Sequence, residues 1–272
     1  MILTVPRLPR PCVMPSPSDG GHRRWSSGNS LRRRRHLSSR RRSRVSSERG
    51  RATAMPPIPE IMHRTLFRAL SLLPPQAQGM VLGRFFDWRH RVPDPWKLSS
   101  DSYERQKYEA TLKHVPPKPY RRIIEVGCSE GAFTRALAAA YPDAEIVGVD
   151  VSARALARAR RRVPDSGRVR FVQADILTHV PEQRFDLVFC SETLYYLGRH
   201  ERLRRASARL GRLLMPGDGV LVAVHPWPEA GRLHRYLDAD AALSRLAEEV
   251  YLAPPRPYAV TIYTTRAGPP AA

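Results

Sequence analysis

Residues 123–150, IIEVGCSEGAFTRALAAAYPDAEIVGVD, decide how this chain folds. An apolar run (Ile123, Ile124, Val126) meets a glycine-bearing turn, Glu125-Val126-Gly127-Cys128-Ser129-Glu130-Gly131. A stretch of helical period runs from Ala132 to Ala140, and a second apolar run, Ile146-Val147-Gly148-Val149, closes on Asp150. Strand, tight turn, helix, strand and terminal carboxylate form a nucleotide-binding βαβ unit. Its glycines admit a ligand to the backbone, and its acid can take both hydroxyls of a ribose. Asp150 stands 23 residues after Gly127, about the spacing of a ribose-binding acid. Ser129 occupies the place where a dinucleotide fold puts the glycine that serves its pyrophosphate. The expected ligand is therefore a ribose compound without a pyrophosphate.

Working outward, the body alternates in type. Strands are expected at 122–126, 145–150, 169–173, 185–191, 219–224, near 249–252 and at 258–264, and helices at 131–140, 152–162, 201–214 and 232–247. The alternation implies an α/β, Rossmann-like, doubly wound and mostly parallel sheet of seven strands, with ligands at the carboxyl ends of the strands. The last strand has no helix after it, so a terminal hairpin inserting antiparallel is expected. Upstream, residues 56–118 read as a helical cap: an amphipathic stretch broken by Pro74-Pro75, a turn at Asp94-Pro95-Trp96, and a helix from Ser102 to Leu112. The catalytic body is assigned to 119–266.

The formal charge of +21 divides unevenly. Residues 1–55 carry 14 Arg, no Lys and two acids (Asp19, Glu48), a net of +12, which leaves +9 for the other 217 residues. So polar a segment cannot bury enough surface to offset its ordering entropy, and it is expected to be a disordered tail. It reads as a nucleic-acid anchor, as a transit peptide, or as untranslated leader if translation begins at Met55. The last is favoured, because the fold needs nothing from residues 1–54, and a chain lacking them is expected to fold. No apolar run of about 18 residues suggests a membrane span. The three cysteines (Cys12, Cys128, Cys190) show no ligand spacing, so no metal site and a reducing cytoplasm are expected.

Further acids stand at strand ends: Asp175, beside Ile176, after the third strand, and Glu192, after Ser191, at the fourth. Asp175 can accept the exocyclic amine of adenine, while Ile176 and Val151 sandwich the ring. The glycine turn, Asp150, Ala174-Asp175 and the Phe185-Asp186 strand ending in Ser191-Glu192 resemble the class I S-adenosylmethionine-dependent methyltransferases. S-adenosyl-L-methionine is a ribose ligand without a pyrophosphate. That resemblance implies contacts to its methionine moiety from Gly127 and its neighbours, Glu125, Cys128, Ser129, Gly131 and Ser191 among them. It implies the ribose on Asp150, and the adenine on Asp175 and Ile176. A narrower resemblance is to the nodulation protein S (NodS-like) group of N-methyltransferases. It rests on Asp94-Pro95-Trp96, Ser102-Tyr103-Glu104, Lys107-Tyr108, Glu125-Val126-Gly127-Cys128-Ser129, the run from Ser191 to Leu197, and the run from Val222 to Trp227.

The resemblance implies a small-molecule acceptor, with an amine such as that of an amino sugar leading and a hydroxyl as alternative. A nucleic-acid substrate enters only through the tail. Methyl transfer from a sulfonium needs the acceptor held near the methyl carbon with its lone pair free. The candidate catalytic residues are His225, as base or substrate hydrogen bond, Glu192 and Tyr195. His225 reads equally as a histidine packed on Trp227, Glu192 as a cap, and Tyr195 with Tyr196 as a packed pair. Trp96, Tyr103 and Lys107 form a candidate lid over the cofactor, Tyr103 and Lys107 sharing a helix face at i, i+4. The arginines at 158–162 read as a solvated helix face.

Overall fold

The structure, a computed structural model, describes residues 60–163, 167–178, 183–227, 229–252 and 255–266. The tail at 1–55, the Met55 start and the prolines at 56–59 lie outside the described residues. Three helices form the cap: α1 (Glu60–Leu70), α2 (Pro75–Arg89) and α3 (Ser102–Lys113). Pro75 begins α2, where its missing N–H costs no helical bond. Asp101 caps α3, its carboxylate accepting from the Tyr103 N–H at 2.9 Å.

The body then alternates as β1 (Arg122–Val126), α4 (Ala132–Ala140), β2 (Glu145–Asp150), α5 (Ala153–Arg162), β3 (Val169–Gln173), β4 (Leu187–Ser191), α6 (His200–Leu213), β5 (Val220–Pro226), α7 (Glu229–Asp238), β6 (Leu243–Tyr251) and β7 (Tyr258–Thr265). The expected fold class is present: one seven-stranded sheet in the order β3-β2-β1-β4-β5-β7-β6. The pairs from β3 to β5 are parallel, and β7 enters antiparallel between β5 and β6, with Val222 opposite Ile262. The order reverses between β1 and β4, which puts a crevice at their carboxyl ends.

Alternate strand residues feed two cores. Ile124, Val126, Val188, Leu221 and Ala223 pack with Leu203 and Leu210 of α6 and Leu233 and Leu237 of α7. Ile123, Leu187, Phe189, Val222 and Val224 face the other way, onto Phe133 and Leu137 of α4. Both faces of the sheet are therefore covered, as parallel strands require.

The expected helix at 232–247 is corrected. It ends at Asp238, Asp240 turns the chain by accepting from the Ala242 N–H at 2.9 Å, and residues 243–251 are the edge strand β6. Ala, Leu, Arg and Glu favour helix locally, but pairing along the whole of β7 satisfies the backbone and overrides that preference. The exposed edge carries Arg245, Glu248 and Glu249, charges that discourage further strand addition.

The cap is fastened to the body through Phe67 of α1, which is fully buried. Its ring meets Tyr196 edge-on at 5.0 Å and Phe85 at 5.8 Å. Phe67→Ala is expected to cost about 3–5 kcal/mol of unfolding free energy, the range for deleting a buried aromatic. Urea unfolding of the two proteins measures it, and a loss under 1 kcal/mol would show that α1 contributes little to the fold.

Candidate functional site

The turn after β1 folds back over the end of β2. The Gly127 and Cys128 N–H groups both donate to the Val149 carbonyl, at 2.8 and 2.9 Å. The Ser129 N–H donates to Asp150 Oδ2 at 2.9 Å, and the Ser152 N–H to Asp150 Oδ1 at 2.8 Å. Each carboxylate oxygen keeps a lone pair for a ligand. Gly127 has φ +82°, and a Cβ there would stand 2.2 Å from Thr193 Oγ1, so no larger residue fits. Ser129 adopts φ +49° without being glycine, a strain its bond to Asp150 holds in place.

Beside the turn, Glu130 is buried and fully engaged. Its Oε1 accepts from the Asp94 N–H at 3.0 Å and Arg158 at 2.8 Å and lies 3.0 Å from His90 Nδ1, while Arg162 reaches Oε2 at 3.2 Å. Burial would raise this carboxyl's pKa, but the hydrogen bonds from His90, Arg158 and Asp94 outweigh it and hold it below its ordinary value. Of the arginines at 158–162, Arg158 and Arg162 thus leave the expected solvated face, while Arg160 and Arg161 stay exposed on it. Arg158 and Arg162 neutralise Glu130, and Arg160 donates to the Phe171 carbonyl. This ties cap, turn and α5 together, and no local sequence pattern announces it.

A cavity lies at the carboxyl ends of β1 to β5. Its wall includes Glu125, Gly127, Cys128, Ser129, Asp150, Val151, Asp175, Ile176, Ser191, Glu192 and Tyr195 of the expected residues, with Trp96 from the cap. Leu82 and Phe86 of α2, His90 just after it, and Glu104, Tyr108 and Arg256 also line it, contributions the sequence did not reveal. Asp175 Oδ1 accepts from the Leu177 N–H at 2.8 Å, whereas Oδ2 is buried without a hydrogen-bond partner. Burial raises the pKa of Asp175, and also that of Asp150, where the Ser152 and Ser129 amides oppose it. Glu125 is pushed up to about 8 by burial, Thr134 opposing by donating to Oε2. Burial likewise holds the Cys128 thiol well above its usual range, which leaves it no thiolate for nucleophilic attack.

Three expected residues stand off the wall. Gly131 (φ +74°) faces α5, where a Cβ would meet Ala159 Cβ at 3.0 Å, so it serves helix packing at the start of α4. Tyr103 lies outside the cavity: its hydroxyl donates to the Arg256 carbonyl, and its ring packs on Tyr258. The shared face with Lys107 is real, the ammonium sitting 5.5 Å from the ring centroid. His225 is fully buried within β5 and does not reach the cavity. Its Nε2 accepts from the Leu194 N–H at 3.3 Å and its Nδ1 lies 3.0 Å from His234 Nε2, so neither ring nitrogen is open to an acceptor. The expectation of a base is corrected on that ground. Nor does His225 pack as a loop residue, since it pairs with Ala259 of β7.

The cavity end nearest α3 carries a charge cluster. Lys107, only 5% exposed, lies between Glu192 Oε1 and Glu104 Oε2, the latter at 2.7 Å. Arg256 meets Glu104 Oε1 at 2.7 Å, and the Tyr195 hydroxyl donates to Glu192 Oε2 at 3.4 Å. Burial alone would lower the Lys107 pKa, but Glu192 and Glu104 outweigh it and keep the ammonium charged. Glu192 has φ +48°, strained at a cost of about 1–3 kcal/mol. Among the described residues no group of His, Cys, Asp and Glu could hold a metal ion, and no helix is long and apolar enough to cross a membrane.

Comparison with known proteins adds four findings. The family model of nodulation protein S (NodS) matches residues 85–249. A nodulation protein S of Rhizobium tropici is 36% identical over 130 residues, 47% of this chain and 53% of its own. A trans-aconitate 2-methyltransferase of Methylobacterium radiotolerans is 40% identical over 131 residues, 48% of each chain. The chain spans about half the length of these curated relatives. The N-methyltransferase NodS of Bradyrhizobium japonicum WM9, solved with S-adenosyl-L-homocysteine, superposes with a TM-score of 0.60 at 23% identity, covering 67% of this chain and 97% of that one. This last likeness concerns the fold.

Two outcomes follow from the geometry. Asp150→Ala removes a carboxylate from the cavity wall, and titration calorimetry with S-adenosylhomocysteine is expected to show affinity reduced by more than about tenfold; unchanged affinity would exclude Asp150 from the site. Glu125 binds its proton more tightly folded, at about 8, than at its ordinary 4.5, so its contribution is complete below the lower value and is lost as pH rises through the higher. Between them stability falls by up to about 1.4 kcal/mol per pH unit. Glu125→Gln is expected to lack that component in urea titrations across the same range, and parallel wild-type and variant profiles would contradict it.

Proposed function

The chain belongs to the nodulation protein S family, and from that premise we propose that it is an S-adenosylmethionine-dependent methyltransferase acting on the amine of a small molecule. The residues present fit the cofactor. Asp150 offers one lone pair on each oxygen to two ribose hydroxyls. The buried, unpartnered Asp175 Oδ2 is an acceptor for an exocyclic amine, and Val151 and Ile176 supply apolar faces for a ring. Gly127 lets a ligand lie against the turn backbone. When bound, the cofactor supplies a methyl on a sulfonium, open to in-line displacement. The cap, residues 56–118 in this reading, excludes water from above through Trp96 and Phe86, rings 6.1 Å apart.

One observation carries the choice of an amine. The wall already holds an ammonium, that of Lys107, on the Glu192 and Glu104 carboxylates, with Glu192 still 29% exposed to the cavity. A carboxylate so placed can accept an N–H of the acceptor and orient it while its lone pair stays free. A hydroxyl acceptor would need a stronger base, and His225 does not reach the wall. A second reading, a carboxylate acceptor, has its own support. Arg256 lines the cavity with its side chain 52% exposed, and relatives include a trans-aconitate 2-methyltransferase.

Calorimetry with S-adenosylhomocysteine, followed by methyl-transfer assays on an amino sugar and on a tricarboxylate, tests this reading. One-to-one micromolar binding and transfer to the amine are expected. Glu192→Gln should lower kcat/KM for that amine by about tenfold or more, the loss of a charged hydrogen bond. Transfer to the carboxylate alone would replace the leading reading with the second, and a folded protein that binds no cofactor would remove both.

A further inference from the structure

We propose that His225 and His234 are positioning residues for the Glu192–Leu197 turn, acting through a buried hydrogen-bond relay that runs from the Leu194 amide to the Glu248 carboxylate. The consequence for turnover rests on the methyl-transfer reading of the cavity; the relay itself does not. Four bonds make it: Leu194 N–H to His225 Nε2 at 3.3 Å, His225 Nδ1 to His234 Nε2 at 3.0 Å, His234 Nδ1 to Thr261 Oγ1 at 2.8 Å, and Thr261 Oγ1 to Glu248 Oε2 at 2.9 Å. His225, His234 and Thr261 are all fully buried.

Chemistry fixes the direction of every bond. An amide N–H can only donate, so His225 Nε2 must be bare and the ring proton must sit on Nδ1. That proton goes to His234 Nε2, which must also be bare, so His234 too carries its proton on Nδ1. Thr261 accepts it and passes its own hydroxyl proton to Glu248. The far end is pinned, because the same Glu248 oxygen takes Arg245 Nη1 at 2.7 Å. Moving either proton to the other nitrogen, or adding a second one, would set donor against donor inside the core.

Burial, then His234 and the positive Lys107 and Arg232, push the His225 pKa well below its ordinary value. Burial and Arg245, against the opposing pull of Asp238, bring His234 to about 4. The remaining groups around the pair are Tyr195, edge-on to His225 at 6.2 Å, and Tyr263, whose hydroxyl meets Asp238 and the His234 carbonyl. Both rings are therefore neutral near pH 7, as the relay requires.

The turn needs this support. Glu192 sits at φ +48°, its N–H is taken by the Val224 carbonyl at 2.8 Å, and the Thr193 hydroxyl is within reach of the Val126 and Ser191 carbonyls. Leu194 follows, buried, and without His225 its amide would have no acceptor among these contacts. Glu192, Tyr195 and Tyr196 project from this turn into the cavity. The relay thus sets where the acceptor's carboxylate partner stands, from behind the wall.

Long-range proton–nitrogen spectra of the histidine-labelled full chain, with signals identified through the variants below, read the relay directly. Both rings are expected as neutral Nδ1–H tautomers at every pH from 6 to 8; an Nε2–H form or titration within that window overturns the proposal. In the activity arm, His225→Leu removes both ring contacts, whereas His225→Gln keeps an acceptor and a donor. The leucine variant is expected to lose about tenfold or more in kcat/KM for the acceptor. Its S-adenosylhomocysteine affinity should stay within about threefold of wild type, and glutamine should recover most of the loss. Equal losses in the two variants, or a matching loss of cofactor affinity, would show a merely structural histidine and overturn the positioning role. If the leucine variant does not fold, Thr261→Val breaks the relay one step further out and carries the same expectation. A wild-type protein that binds S-adenosylhomocysteine yet methylates no acceptor would remove the methyl-transfer reading alone, and the spectra would still decide the relay.

Discussion

The constraint on which the rest depends is the return of the β1 turn onto the end of β2. Two amides share the Val149 carbonyl and a third is held by Asp150. One carboxylate therefore shapes the loop and also faces the cavity. The loop can be tight only because Gly127 lacks a Cβ, and that space is filled by Thr193 from the turn after β4. The two turns lining the cavity are thus fitted to one another, and a change in either is felt by both. Glu130 then transmits the position of this assembly outward, to Asp94 and His90 of the cap and to Arg158 and Arg162 of α5. A buried carboxylate with so many partners tolerates the loss of none of them cheaply.

The cavity divides by charge. Around Asp150 and Asp175 it offers acceptors to hydroxyl and amine donors, which suits an adenosyl group. Around Glu104, Lys107, Glu192 and Arg256 the charges are already paired, two of each sign. A charged ligand entering there would have to exchange one of these pairings for its own, so its charge would decide whether Lys107 or a carboxylate yields.

The β5 histidine illustrates how a residue type can point to the right region for a different reason. His225 lies at the carboxyl end of a strand facing the crevice, where a base could stand, but the strand's pleat turns it to the buried side. Its partners are His234 and the Leu194 amide, so it meets the cavity only through the turn that bears Glu192.

The sequence by itself determined the alternation of strands and helices, the glycine turn, and the acids at the ends of β2, β3 and β4. These are local properties: hydrophobic period, the absence of a Cβ, and a carboxylate where an apolar run stops. It misjudged residues 243–247, whose helix-favouring composition yields to pairing with β7, and it read Arg158 and Arg162 of α5 as solvent-facing along with the exposed Arg160 and Arg161. Tertiary structure alone decided that Glu130 is the partner of Arg158 and Arg162, that Gly131 and Tyr103 stand off the cavity, and that Glu104 and Arg256 join it. Each of those outcomes depends on contacts between segments tens of residues apart, or on which side of a strand or helix meets a neighbour. Neither leaves a trace in the spacing of residues along the chain.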